Sequence, residues 1–228
     1  SRNSLRKFSN GVLLELGKPG PTKFVRLEVI NDKTIHVWAS ASDSINADTS
    51  LVIQKSGFRK VDWQLTEDDQ AATIKTSTIQ AMLNKATGRV SFLDREGKSI
   101  LAEKNDGRSY ESWTLDGRTT YKVRQVFESS DDEAFYGLGQ HQEGVMNHKG
   151  KDLPLFQYNT KVSVPMIVSN KNYGLLWHNY SLSKFGDPRD YLPLSKLNLF
   201  DKNGNPGGLS GRYISKRDTS KVYLARLD

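Results

Sequence analysis

The chain has 228 residues, enough to bury a sizeable core as one large domain or as one domain plus a fragment. Hydrophobic residues make up 36% and charged residues 26%, the balance of a polar globular protein, and no apolar run approaches the roughly 18 residues of a membrane-spanning helix. The absence of cysteine excludes disulfides, thiolate metal sites and a cysteine nucleophile, and the net charge of +7 is spread over 33 basic and 26 acidic residues without the dense basic block of a nucleic-acid footprint.

In chain order, nearly every segment reads as strand. Residues 1–10 lack the apolar core of a signal peptide: either the protein has none or the chain begins after it. Gly11-Val12-Leu13-Leu14-Glu15-Leu16-Gly17 is a short apolar run closed by a Lys18-Pro19-Gly20-Pro21 turn. Residues 24–30 and 34–39 predict a hairpin about Asn31-Asp32-Lys33. The polar residues 41–50 predict a loop, with strands following at 51–53 and 59–65. The β-branched stretch 72–83 favours strand over helix. It leads through Lys85-Ala86-Thr87-Gly88 into 89–93, and through Asp94-Arg95-Glu96-Gly97-Lys98 into 99–102, a three-stranded meander. A second hairpin pairs 109–115 with 119–127 about Asp116-Gly117.

Phe135-Tyr136-Gly137-Leu138-Gly139-Gln140 then runs into His141-Gln142-Glu143-Gly144. Glycines at alternate positions let a backbone leave a strand through unusual dihedrals, so a glycine-containing strand end or bulge is expected. Residues 143–152 are irregular. Strands are expected at 162–168 and 173–179, and Pro165 marks the first as edge or bulged. Residues 184–190 read as loop and Tyr191-Leu192-Pro193-Leu194 as proline-broken. Asp201-Lys202-Asn203-Gly204-Asn205-Pro206-Gly207-Gly208 is the strongest linker candidate, and 211–214 and 221–225 follow as strands. No fixed-period repeat is present. Many strands joined by short turns predict an all-β fold, a large antiparallel β-sandwich.

Chemistry is sparse. His36 and His178 alternate with apolar neighbours in strands and read as structural. His141 and His148 lie near Glu143 and Asp152, but the spacing matches no metal-ligand pattern. Neither a nucleophile elbow nor a phosphate-binding glycine loop occurs. The carboxylate pairs Glu143 with Asp152 and Asp187 with Asp190 sit in polar loops, where a solvated surface group is expected. Residues 135–160 do offer aromatic faces and amides: Phe135, Tyr136, Gln140, Gln142, Asn147, Phe156, Gln157, Tyr158 and Asn159. Sugars are held by stacking on rings together with amide and carboxylate hydrogen bonds, so the mix suits a carbohydrate surface.

Three blocks carry a resemblance. Asp132-Glu133-Ala134-Phe135-Tyr136-Gly137-Leu138-Gly139-Gln140 resembles the "de-x-FYGLGE" element in the N-terminal β-sandwich of glycoside hydrolase family 31, which contains α-glucosidases and α-xylosidases. The stretch from Val164-Pro165-Met166 to Tyr173-Gly174-Leu175-Leu176 resembles the proline strand pair that follows it. The hairpin around Gly88 resembles the family's "k-x-x-G-x-hydrophobic-x-F-x-D-x-x-G" element. In that family the sandwich, a galactose-mutarotase-like supersandwich, precedes a β/α barrel that carries an aspartate nucleophile and an aspartate acid/base.

The resemblance therefore implies a non-catalytic N-terminal domain, inactive alone, without catalytic residues, cofactor or metal. Its partners would be an α-linked oligosaccharide and its own barrel, with neither nucleic acid nor a membrane span. It also implies a sandwich loop at the rim of the sugar pocket. Gln140, Gln157, Tyr158 and Asn159 are the expected substrate-binding residues. Here Gln140 replaces the usual glutamate, and the aspartate of a "W-N-x-D"-like segment is not retained. These departures look most like the xyloglucan-active α-xylosidase branch, with a periplasmic or extracellular location. Gly208-Leu209-Ser210-Gly211-Arg212-Tyr213 resembles the start of a protective-antigen-type carbohydrate-binding module. The implied division is a sandwich at 1–203, then a linker and the first strands of a truncated inserted module at 204–228. A free-standing carbohydrate-binding module is the alternative from another class. A mutarotase-like epimerase is a third, and it requires a catalytic histidine and glutamate facing one pocket.

Overall fold

A computed structural model describes residues 3–17, 20–42, 50–52, 61–186, 199–200 and 203–206, and the backbone of Ser210–Ile214 and Val222–Leu227. The chain divides into two compact units, Ser1–Gly186 and Asp187–Asp228. In the first, β1 (Ser4–Phe8), β2 (Gly11–Glu15), β3 (Phe24–Asn31) and β4 (Thr34–Ser40) form an antiparallel sheet in that order. A six-stranded antiparallel meander holds β5 (Gln64–Glu67), β6 (Ala71–Lys75), β7 (Ile79–Asn84), β8 (Val90–Asp94), β9 (Ser99–Leu115) and β10 (Arg118–Phe127).

These two sheets face each other across one core. The inward positions of β2 and β3, Val12, Leu14, Val25, Leu27 and Val29, pack with Ile74, Ala81, Leu83 and Val90 of the meander. Leu14, Leu27, Ile74 and Leu83 are fully buried, each contributing about 1.5–3 kcal/mol of apolar transfer. Thr76 Oγ1 also donates to Asp32 O across the sheets at 2.7 Å.

A third sheet, in order β11 (Phe135–Gln140), β13 (Val162–Ser169) and β14 (Tyr173–Leu176), covers a ribbon of β12 (Leu153–Leu155) and β15 (Ser183–Phe185). Its own core is Phe135, Leu138, Leu153 and Ile167, flanked by Tyr173, Leu175 and Phe185. In the second unit β16 (Ser210–Ile214) pairs with β17 (Val222–Leu227), and Phe200 bridges Pro206. Every described element is an antiparallel strand, so the all-β sandwich expected from the turns is the fold observed.

Several elements differ from their sequence-based expectation. The single strand expected at 72–83 is two, because Thr76 Oγ1 accepts from Thr78 N at 3.2 Å and Ile79 N at 3.0 Å and closes a turn. Conversely, 99–102 and 109–115 belong to one long strand. The register jump from Arg108 to Glu103 against Gln125 and Phe127 absorbs the residues between, with Asp106 at φ 52°. Leu51 and Val52 form a bend: Leu51 N donates to Tyr180 Oη at 2.7 Å and Val52 N to Ser50 Oγ at 3.2 Å. Pro165 lies in a central strand, and it is tolerated through the bulge option. Gly137 and Gly139 oppose Ile167 and Ser163, leaving three residues of β13 opposite Leu138. Lys184 and Phe185, expected in a loop, pair with Pro154 and Leu153 in β15. The expected features at 53, 59–60 and 187–198, and Asp201, Lys202, Gly207 and Gly208 of the linker, lie outside the described residues.

Candidate functional site

The glycine-aromatic stretch builds the end of a strand pair. Gly137, Leu138 and Gly139 have φ of 114°, 63° and 98°, a left-handed excursion that only glycine adopts without strain. A Cβ at Gly139 would stand 2.1 Å from Val162 O, and one at Gly137 2.6 Å from Met166 O. Leu138 is held in this conformation by its side chain, 2% exposed in the second core. His141 Nε2 donates to its carbonyl at 2.7 Å. Beyond the excursion Gln140 re-enters the ladder opposite Val162.

That register brings the four expected sugar-facing residues to one end of the sheet. Tyr158 and Lys161 pair around Asn159 and Thr160, with Lys161 N donating to Tyr158 O at 2.9 Å, and Val162 follows directly. Gln140, Gln157, Tyr158 and Asn159 are all exposed. Phe156 and Tyr158, 57% and 55% exposed, present rings 6.1 Å apart and tilted by 33°. This gives two aromatic faces flanked by amides. The buried Lys161 anchors the turn by reaching Glu143 at 3.4 Å.

Other residues of the same stretch are structural. Phe135 belongs to the core, and Asn147 Oδ1 accepts from Phe135 N and Lys149 N. His141 and His148 are buried edge to face, 5.8 Å between centroids. Glu143 is held below the usual carboxylate value by its own backbone N–H and by Lys161 and His141, so it remains an anion and no proton donor. Asp152 is paired with Lys184 at 2.6 Å. The pair Glu143 and Asp152 is thus committed to lysines, while Asp187 and Asp190 lie outside the described residues. Among the described residues no three His, Asp or Glu side chains are grouped to hold a metal ion.

Two features escape sequence reasoning. Glu133 is buried and accepts hydrogen bonds at 2.6 Å from Ser129 Oγ, Ser169 Oγ and Tyr173 Oη, clamping the entrance of β11 to β13 and β14. Burial disfavours its charge, but the three hydroxyls and Lys149 outweigh that and hold the carboxyl below its ordinary value. Burial and the same carboxylate push Tyr173 upward.

The second is a polar relay. Trp38 Nε1 donates to His36 Nδ1 at 2.8 Å, which leaves His36 Nε2–H to donate to His178 Nδ1 at 3.2 Å. His178 Nε2–H then donates to Tyr180 Oη at 2.8 Å and Ser50 Oγ at 2.9 Å. Ser50 therefore faces a proton-bearing nitrogen, the wrong tautomer for a general base. Glu28 approaches His36 Nδ1 at 3.4 Å, but Arg26 Nη2 holds it at 2.5 Å. Glu28 and His36 are thus engaged with Arg26, Trp38 and His178, not presented together to a pocket as an epimerase requires. No spacing rule joins His36 to His178, which lie 142 residues apart.

A family model described as the glycosyl hydrolase 31 N-terminal galactose mutarotase-like domain matches residues 24–185. An α-xylosidase of Saccharolobus solfataricus is 28% identical over 177 residues, covering 74% of this chain and 24% of that protein. An uncharacterized family 31 glucosidase of Pseudescherichia vulneris is 29% identical over 183 residues, 71% of this chain and 34% of that protein. The crystal structure of a family 31 α-xylosidase from Xanthomonas citri superposes with a TM-score of 0.76 at 38% identity, over 98% of this chain and 24% of that one. The chain thus spans about a quarter to a third of the length of these relatives.

Proposed function

The chain belongs to the glycosyl hydrolase 31 N-terminal galactose mutarotase-like domain family, and on that premise we propose that it is the non-catalytic N-terminal sandwich of a retaining α-glycosidase. The activity proposed for the whole enzyme is α-xylosidase, acting on xyloglucan-type oligosaccharides. Both the Saccharolobus and the Xanthomonas relatives are α-xylosidases, which supports that choice within the family. The sandwich buttresses a catalytic barrel and lends its turn to the rim of the sugar pocket.

The observation that carries the rim assignment is the exposed Phe156–Tyr158 pair, flanked by Gln157 and Asn159, at the strand end where Gln140 lies. Aromatic faces stack on the apolar face of a pyranose, and the amides donate to and accept from its hydroxyls. The carboxylates beside the turn are ion-paired, so they position the loop and leave the chemistry to the barrel. Residues 1–203 are assigned to the sandwich, and 204–228 to a linker and the first strands of an inserted protective-antigen-type module. The β16–β17 ribbon lies in the second compact unit, Asp187–Asp228, which supports a separate C-terminal piece, although that unit begins before residue 204. A periplasmic or extracellular location is proposed with this reading, and cell fractionation tests it.

In the longer enzyme, Gln157→Ala and Asn159→Ala are expected to lower kcat/KM for an α-linked xylo-oligosaccharide about tenfold each, as lost sugar hydrogen bonds do. Unchanged kcat/KM in both variants removes the rim assignment. The same aromatic pair suits a free-standing carbohydrate-binding module. In that case the isolated chain binds the oligosaccharide with its full affinity and no barrel is encoded beside it.

A further inference from the structure

The side chain of His141 is 3% exposed, and among the described residues its buried Nδ1 has no hydrogen-bond partner. Nε2 donates to Leu138 O at 2.7 Å, and a carbonyl only accepts, so in the neutral ring Nδ1 carries a lone pair. That lone pair faces Glu143 Oε2 at 3.8 Å, one acceptor against another. Buried polar atoms are nearly always satisfied, so an orphan beside a carboxylate calls for a reason. The other oxygen of Glu143 reaches Lys161 Nζ at 3.4 Å, and Lys161 N closes the turn around Asn159 and Thr160 by donating to Tyr158 O. A second proton on His141 turns Nδ1 into a donor aimed at Glu143. Contacts then run without a gap from Leu138 in the second core through His141, Glu143 and Lys161 to the turn that carries the sugar-facing side chains. In the neutral form the gap lies between His141 and Glu143. The Glu143 side chain is 45% exposed and Gly144 follows it at φ 67°, so nothing else there stiffens the loop.

We infer, resting on the function proposed above, that His141 is a positioning residue of the sugar pocket whose protonation fixes the Tyr158–Lys161 turn. The charged and titratable groups around the ring are Glu143, Lys161 and the buried His148, whose ring centroid lies 5.8 Å away. Lys161 and His148 oppose a positive charge on His141, and Glu143 stabilises it. Glu143 remains an anion and offers separate oxygens to the two cations, Oε1 to Lys161 and Oε2 to His141. Protonation of His141 therefore adds a tie without removing the one to Lys161. Because the tie needs the proton, the hold on the turn is present at low pH and is lost as pH rises. The turn begins beside Gln157 and ends at Val162, the cross-strand partner of Gln140, so the hold acts on all four proposed sugar contacts.

Amide hydrogen exchange of Tyr158 and Lys161 is followed in the longer enzyme from about pH 8 to about pH 5, the span in which imidazoles take up a proton. Wild type is compared with His141→Gln, which keeps a donor for Leu138 O and cannot be charged, and with Glu143→Gln. Rates are taken as ratios at the same pH, which removes the intrinsic pH dependence of exchange. Wild type is expected to match His141→Gln at about pH 8 and to exchange about two- to fivefold more slowly at about pH 5, the worth of one partly exposed ion pair. Ile167, paired with Gly137 in the same sheet, should not change. KM for an α-linked xylo-oligosaccharide should fall by a similar factor relative to the variant, with kcat moving less. A ratio that is constant with pH, or a wild-type turn that loosens in acid, overturns the inference. So does a full response in Glu143→Gln, which also decides the question if His141→Gln loses protection at Ile167. A response abolished by His148→Gln and kept by His141→Gln belongs to the other ring and overturns it too. A turn that responds to pH under a KM that does not upholds the role of His141 and refutes the sugar-rim reading. A KM that responds over a turn that does not refutes the role of His141 alone.

Discussion

Replacing Glu133 by glutamine isolates the charge of a buried carboxylate whose three donors come from different parts of the chain. Ser129 donates to one oxygen, and Ser169 and Tyr173 to the other, each at 2.6 Å. Hydrogen bonds to a charged acceptor are worth about 1.5–3 kcal/mol each. Glutamine keeps the shape and one carbonyl oxygen, so Glu133→Gln is expected to cost about 1–2 kcal/mol, and Glu133→Ala, which strands all three hydroxyls, about 3–5 kcal/mol. For a chain of this size, 1 kcal/mol corresponds to roughly 2–4 °C in Tm. The folded-state pKa lies below the ordinary value. The contribution is therefore complete above the unfolded glutamate value of about 4.3 and is lost as pH falls through the lower folded value. Urea unfolding of wild type and Glu133→Gln at pH 7, and then at successively lower pH, reads both effects. A gap of the stated size that closes only below about pH 4.3 supports the clamp. A gap that stays constant with pH, or a glutamine variant as stable as wild type, refutes it.

Gly139→Ala drives a Cβ against the backbone of Val162 at φ 98° and should cost about 3 kcal/mol or more. Gly144→Ala, with nothing within 4 Å of its Cβ, should cost only about 1 kcal/mol in the same denaturation assay. Arg108 Nη2 lies 2.6 Å from both oxygens of Glu103 in a pair only 9% and 7% exposed. Arg108→Met should therefore cost about 3–5 kcal/mol, and adding Glu103→Gln should restore most of it, by thermal unfolding. Burial and the adjacent His36 push His178 below the ordinary imidazole value. The relay's contribution is thus present above about pH 6.5 and lost as pH falls through the lower folded value. An imidazole NMR titration should give His178 a midpoint below 6.5, and a higher one contradicts the neutral relay.

What the sequence made legible was local. Asp116-Gly117 adopts φ of 49° and 73°, the two positive angles its hairpin turn demands. Asn31 Oδ1 accepts from Lys33 N at 2.8 Å in the turn between β3 and β4. Gly88 at φ 73°, with Val25 Cγ2 2.9 Å from where its Cβ would be, shows why the meander turn needs glycine. The site was half legible. Composition and resemblance point to Gln140 and the segment at 157–159, and the β11–β13 register is what brings them to one end of the sheet. Glu133 was visible as a motif letter, but its clamp depends on Ser169 and Tyr173, 36 and 40 residues away. The relay through His36 and His178 is built by sheet packing, which no periodicity encodes. In the sequence Thr76 is one β-branched residue among several in 72–83, whereas in the fold its hydroxyl makes the turn.

The central claim, that this sandwich serves an α-xylosidase whose chemistry lies elsewhere, is tested most directly by following the anomer released from an α-xyloside by NMR. The 228-residue chain is compared with the longer polypeptide. The account predicts no turnover by the short chain, and release of α-xylose with retained configuration by the longer one. Turnover by the short chain alone, or inversion or inactivity of the longer enzyme on α-xylosides, contradicts it.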